Sequence, residues 1–267
     1  QPNAMGGREV GGLSTALPAH RDLSNAKDLE DTEKLWSSPR KISPTPGLTA
    51  TEPFEALDAG KVKALWIACT NPMVSLPNLN LAERALKKAE LVMVSEIAEA
   101  TNTTKFAHIL LPATSWAEKE GTVTNSERRI THINKALPSP GEALPDWEIV
   151  KRFALKLGED LNEDWSKHFL YKKPEDIFDE HKLTTEGRDM DITGLDYALL
   201  DNKGPQRWPY PKDAKEDTPR LYTDFKFQTS DDKANFIDVQ YKEVFEPTNN
   251  EYPFSITTGR VRDQWHT

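Results

Sequence analysis

Polar and ionisable residues collect where apolar runs stop. The run Val62-Lys-Ala-Leu-Trp-Ile-Ala68 ends in Cys69-Thr70-Asn71-Pro72, and Leu91-Val-Met-Val94 ends in Ser95-Glu96, with Thr101 shortly after. A third run, Ala107-His-Ile-Leu-Leu-Pro112, stops at a proline and leads into the polar stretch 113–129. A carboxylate at a strand end can accept from ribose hydroxyls or from neighbouring N–H donors of a guanine, because its two oxygens match two adjacent donors. Hydroxyls and turn amides suit phosphate oxygens. The chemistry allowed at 69–72, 95–104 and 112–125 is therefore recognition of a nucleotide-like ligand. On spacing alone Glu96 reads equally well as a solvated acid leading into a helix, and Glu118, Glu120, Glu127, Arg128 and Arg129 as a solvated charged face.

Other chemistries find no support. The histidines at 20, 108, 132, 168, 181 and 266 show no H-x-x-x-H spacing, and one cysteine excludes an internal disulfide framework or a four-cysteine metal site. Neither a G-x-S-x-G elbow, a G-x-G-x-x-G fingerprint nor a G-x-x-x-x-G-K-S/T loop occurs. A net charge of −9 argues against a nucleic-acid partner, no apolar stretch is long enough to span a membrane, and the single Cys69 fits a reducing, cytoplasmic setting.

The elements that must position these residues follow from periodicity. Asn80–Ala89 carries apolar residues at 81, 82, 85, 86 and 89, one face of a helix, so 62–96 reads as a β-α-β unit. With the third run it predicts an α/β fold: an open, mainly parallel sheet with helices on both faces. Glu52–Gly60 is a short helix stopped by Gly60, and Pro145–Gly158 the clearest helix, with Asp146 as its N-cap by default. His108 caps a core strand. Elsewhere 19 prolines and a mean hydropathy of −0.67 imply long polar segments, so the chain reads as a section of a longer polypeptide. Residues 1–12 form a glycine-rich loop, 13–51 extended proline-punctuated chain, 113–129 a long loop, 225–239 a hairpin, and 252–260 a strand ending in Thr-Gly-Arg.

Five stretches in collinear order, Gln1-Pro-Asn-Ala-Met-Gly-Gly7 with its continuation to Gly12, Trp66–Pro72, Leu111–Arg129, Pro145-Asp-Trp147 and Thr258–His266, resemble molybdopterin oxidoreductases of the dimethyl sulfoxide reductase superfamily, the first and last most like bacterial assimilatory nitrate reductases. The resemblance implies a molybdenum bis(molybdopterin guanine dinucleotide) cofactor, one dinucleotide being held here. It places Gln1 toward the pterin, Cys69, Thr70, Asn71 and Pro72 at the phosphates, Ser95 and Glu96 at the guanosine, Thr101 near the diphosphate and Asp146 toward guanine. Thr258, Gly259 and Arg260 close the site; a surface arginine paired with Asp263 is the plainer reading of Arg260. It further implies nitrate reduction to nitrite by the full-length parent, with a 4Fe–4S cluster not ligated by these residues. Ferredoxin, flavodoxin or an NADH-linked reductase subunit would be the electron donor. The section alone is expected to be inactive. A formate dehydrogenase-like member and a non-catalytic nucleotide-binding module remain alternatives. The implied division is 1–51 from a preceding domain, 52–158 the α/β cofactor-binding section, 159–250 an irregular or helical segment, and 251–267 the start of a further dinucleotide-binding domain.

Overall fold

The computed structural model describes residues 3–229 and 231–256. Its first core is the expected α/β unit. Strand β3 (Ala64–Ala68) pairs in parallel with β4 (Leu91–Glu96), which pairs in parallel with β5 (Ile109–Pro112). Register sets Leu65, Ile67, Val92, Val94 and Leu110 on one face, against helices α3 (Glu52–Asp58) and α5 (Leu79–Lys88) through Phe54, Leu57, Ala82, Ala85 and Leu86. Helix α5 begins where Asn78 accepts from the Leu81 N–H, and α3 ends before Gly60, whose φ of +71° suits a glycine. The opposite face of the sheet meets α6 (Asp146–Asp160): Phe153 packs edge-on to Trp66 at 5.0 Å. Both faces are thus covered. His108 does anchor a strand, its Nδ1 accepting from the Val92 N–H at 2.9 Å.

A second core lies beyond it. Strand β6 (Gly121–Thr124) pairs antiparallel with β7 (Arg129–Ile133), and β7 with β8 (Gln206–Arg207), so residues on either side of 158 share one sheet. Ile130, Phe178, Met190, Ile192, Leu195, Tyr197, Leu200, Trp208 and Tyr210 fill this core, drawing on α7 (Pro174–Thr185) and α8 (Tyr197–Lys203). Helix α1 (Ala4–Glu9) is pinned to it through buried Glu9, which accepts from Thr124 Oγ1 and Trp208 Nε1. Burial holds the Glu9 carboxyl above its usual range, and those two donors compensate in part.

Several local expectations are corrected. The glycine-rich stretch 1–12 is helical over 4–9; Gly6 lies against the Asn3 side chain, where a Cβ would meet Oδ1 at 2.0 Å. Within 13–51 the short strands β1 (Ala16–Leu17) and β2 (Arg21–Asp22) pair antiparallel, and the Asn25 side chain accepts from Lys27 and Asp28 N–H groups and starts helix α2 (Ala26–Leu35), leaving 36–50 irregular. The 113–129 loop contains a strand because Thr122, Val123 and Thr124 are β-branched and find a partner in β7. Helix α6 runs through Gly158, which packs closely on Trp165, instead of stopping there. Among the described residues 225–256 hold no strand, so the 225–239 hairpin does not form; Phe236, Phe245 and Phe254 are almost fully exposed. Nor is 252–256 a strand, and the Thr-Gly-Arg stretch that was to end it lies outside the described residues.

Candidate functional site

The C-terminal ends of β3 and β4 and the near face of hairpin β6–β7 enclose a cleft of about 810 Å³. It falls within the roughly 300–1,000 Å³ usual for small-molecule sites. Of the residues singled out in the sequence, Cys69, Thr70, Asn71, Ser95, Glu96 and Asp146 line it.

Each is held by local structure. Asn71 Oδ1 accepts from Thr103 Oγ1 at 2.6 Å, and that buried hydroxyl accepts in turn from the Met73 N–H, which fixes the loop after β3. Cys69 stands at φ +59°, a left-handed conformation that turns the chain at the strand end and costs a non-glycine residue on the order of 1 kcal/mol. Ser95 Oγ accepts from Trp66 Nε1 at 2.8 Å, locking both to the sheet. Glu96 is the last residue of β4, and its Oε1 accepts from the Ile97 N–H at 2.8 Å.

Asp146 departs from its expected local role. Pro145 occupies the cap position of α6, and the Asp146 side chain makes no capping bond. Its Oδ2 instead takes Lys119 Nζ at 2.6 Å and its Oδ1 faces Cys69 Sγ at 3.7 Å, both in the cleft. Burial first, and the Asp146 carboxylate second, push the Cys69 thiol up, so it stays protonated and acts as a weak donor.

Two expected residues stand elsewhere. Pro72 is buried at the start of the four-residue helix α4 (Pro72–Ser75), beneath the loop, and does not line the cleft. Thr101 is also absent from the lining, its hydroxyl and N–H bound to Thr104 Oγ1. Gln1, Thr258, Gly259 and Arg260 lie outside the described residues.

The far wall was missed residue by residue. Asn3, Thr114, Ser115, Trp116, Lys119, Glu120 and Thr122 face the cleft, Glu120 belonging to the set that also reads as a solvated charged face. A usable signal was present at 115–118, where Ser115 and Glu118 form a reciprocal cap around one short turn. Thr114 Oγ1 is completely buried without a hydrogen-bond partner, an acceptor and donor standing ready at the wall of the cleft. The donor set fits a nucleotide: hydroxyls, an amide and a lysine for phosphates, carboxylates for ring and ribose donors. Among the described residues no group of three or more His, Cys, Asp or Glu side chains could hold a metal ion, and no helix is long and apolar enough to cross a membrane.

Residues 3–156 match the molybdopterin oxidoreductase family. Over its whole length the chain is 41% identical to a nitrate reductase of Synechocystis sp. and 34% identical to an assimilatory nitrate reductase catalytic subunit of Bacillus subtilis. It is 38% identical, again over its whole length, to a formate dehydrogenase alpha subunit of Methanocaldococcus jannaschii. The chain spans 37% of the length of each of these three relatives.

Proposed function

This chain belongs to the molybdopterin oxidoreductase family, and from that premise we propose that it holds one molybdopterin guanine dinucleotide within a larger nitrate reductase. The observation that carries the proposal is the cleft, whose carboxylates, hydroxyls and unpartnered Thr114 Oγ1 match the donors and acceptors of a nucleotide. In this reading Cys69, Thr70 and Asn71 offer the loop to the phosphates, with Pro72 stiffening it from below. Lys119 adds a positive charge there. Ser95 and Glu96 take the guanosine ribose, and Asp146 takes the paired N–H donors of guanine. Thr101 acts from outside the cleft, by shaping the 101–104 turn beside the Thr103 that fixes Asn71. Gln1 toward the pterin, and Thr258, Gly259 and Arg260 closing the site, complete the assignment.

When bound, the cofactor supplies the molybdenum and dithiolenes at which an oxygen atom passes from nitrate to leave nitrite. This chain's own part is to bind, orient and keep the nucleotide end fixed. Electrons would arrive through a 4Fe–4S cluster ligated elsewhere in the parent, from ferredoxin, flavodoxin or an NADH-linked subunit, in the cytoplasm. Formate oxidation is the second reading, favoured by the 38% identity to a formate dehydrogenase subunit.

The test uses the full-length enzyme that carries this chain. With a reduced viologen as donor it is expected to form nitrite from nitrate, and acid hydrolysis should release GMP. Formate oxidation without nitrate reduction would transfer the assignment to the second reading. A cofactor that yields no guanine nucleotide would refute the dinucleotide assignment.

A further inference from the structure

One wall of the cleft is backed by a histidine with a nitrogen left over. His132, on β7 and directly opposite Thr122 of β6, has a side chain only 5% exposed. Its Nδ1 lies 2.8 Å from Asp201 Oδ1, and its ring lies on Tyr197 with centroids 3.9 Å apart. Tyr197 and Asp201 are four residues apart on α8, so one helix face supplies both the stacking surface and the carboxylate. The start of α8 is itself capped by Asp196, which accepts from the Leu199 N–H at 2.7 Å. This is a rigid mount, and it holds Nε2 buried and without a hydrogen-bond partner.

Nε2 points at Glu120. The separation to Oε1 is 3.7 Å, just beyond a hydrogen bond, and Glu120 lines the cleft. Lys119 has extended backbone, φ −135° and ψ 161°, which sends the neighbouring side chains to different sides. Lys119 goes to Asp146, and Glu120 goes to His132. The ring is flanked by a carboxylate at each nitrogen, Asp201 at Nδ1 and Glu120 at Nε2, and an N–H directed at Glu120 makes a charge-assisted hydrogen bond once the gap closes. Each carboxylate oxygen has two lone pairs, so Oε1 can accept from Nε2–H and still face a ligand.

We propose that Asp201 and His132 are positioning residues for Glu120, and that Glu120 accepts the lactam and amino N–H donors of the pterin ring of the bound cofactor. This rests on the cofactor reading above, in which Asp146 is already assigned to the other lactam-amine ring, guanine. A second such ring needs a second paired acceptor, and Glu120 is the remaining carboxylate of the cleft with a buried partner behind it. Neither Asp201 nor His132 touches the ligand.

The test is a double-substitution cycle in the full-length enzyme, read as molybdenum and pterin retained per chain after prolonged dialysis, with GMP binding to cofactor-stripped enzyme measured in parallel. Glu120→Gln, which keeps the shape but presents only one acceptor, and His132→Phe, which keeps a flat ring on Tyr197, should each weaken cofactor retention about tenfold, the scale of one hydrogen bond to a charged group. The double variant should be no worse than Glu120→Gln alone, because both act through one contact. Asp201→Asn, which leaves the imidazole in place, should shift retention the same way. GMP affinity should not change in any of them. A merely structural His132 would lower the thermal midpoint and multiply with Glu120→Gln, and that result overturns the proposal, as does full retention in Glu120→Gln. Failure of GMP to bind stripped wild-type enzyme strikes the guanine assignment instead, and the retention data still decide Glu120.

Discussion

Replacing Asp146 by asparagine separates its ion pair with Lys119 from its proposed role as guanine acceptor. As an ion-pair partner it faces Lys119 at 2.6 Å, but the side chains are 35% and 30% exposed, so solvent screens the pair. Its loss should cost about 1 kcal/mol or less in stability. As a guanine acceptor it meets two N–H donors, and asparagine would satisfy one while opposing the other with its own amide hydrogens. Hydrogen bonds to a charged group are worth about 1.5–3 kcal/mol, so GMP affinity in cofactor-stripped full-length enzyme should fall roughly 10- to 150-fold. The assay is calorimetric titration with GMP and with IMP, which lacks the 2-amino group. Wild type should prefer GMP about tenfold, and Asp146→Asn should lose that preference. Lys119→Met removes the ion pair and leaves the carboxylate, so it should keep the preference even if phosphate binding weakens. Equal preference for GMP over IMP in wild type and Asp146→Asn would refute the assignment.

Three further outcomes follow from the packing and the titrating groups. Leu86→Ala should lower stability by about 2–5 kcal/mol in denaturant titration, since Leu86 is 1% exposed at the centre of the α5 face and leaves a cavity. Gly11→Ala should cost more than ~1 kcal/mol and lower the thermal midpoint, because Gly11 sits at φ +72° and a Cβ would meet Pro18 N at 2.6 Å; an unchanged midpoint would show that the turn can relax. Burial depresses His181 from 6.5 to about 4, so the unfolded chain binds the extra proton between those values and stability falls as pH drops through that window. Between pH 7 and pH 5 the loss should be on the order of 2 kcal/mol, and His181→Gln should remove most of that pH dependence in denaturation midpoints.

The β-α-β unit was legible because its signals are local. The apolar run 91–94 with Ser95 and Glu96 is strand β4 to the residue, and positions 82, 85 and 86 form the buried face of α5. The strand ends bring Cys69, Thr70, Asn71, Ser95 and Glu96, though not Pro72, to the lining of one cleft. Hairpin β6–β7 was not legible, because Gly121–Thr124 is four residues long and flanked by charges, and the sheet it belongs to is completed by β8, far along the chain at Gln206–Arg207. The same distance in sequence hid His132, whose surroundings come from α8. Asp146 was placed at the right helix end but in the wrong local role, since a proline took the cap and the aspartate was released to pair with a lysine from another segment.

The three parallel strands run β3, β4, β5 in simple sequence order, with no reversal to open a crevice between diverging loops. The cleft therefore has its second wall from a different sheet, built on a different core. Any molecule filling it touches two bodies that polar contacts such as Lys119–Asp146 and Lys151 to the Tyr171 carbonyl also join. Binding energy gained there is available only when both bodies are folded at once, so the ligand acts as a thermodynamic staple. Stripped of it, the two cores are expected to lose amide protection in separate steps; loaded, they should open together, and on the proposed reading cofactor insertion becomes the last act of folding for this part of the chain.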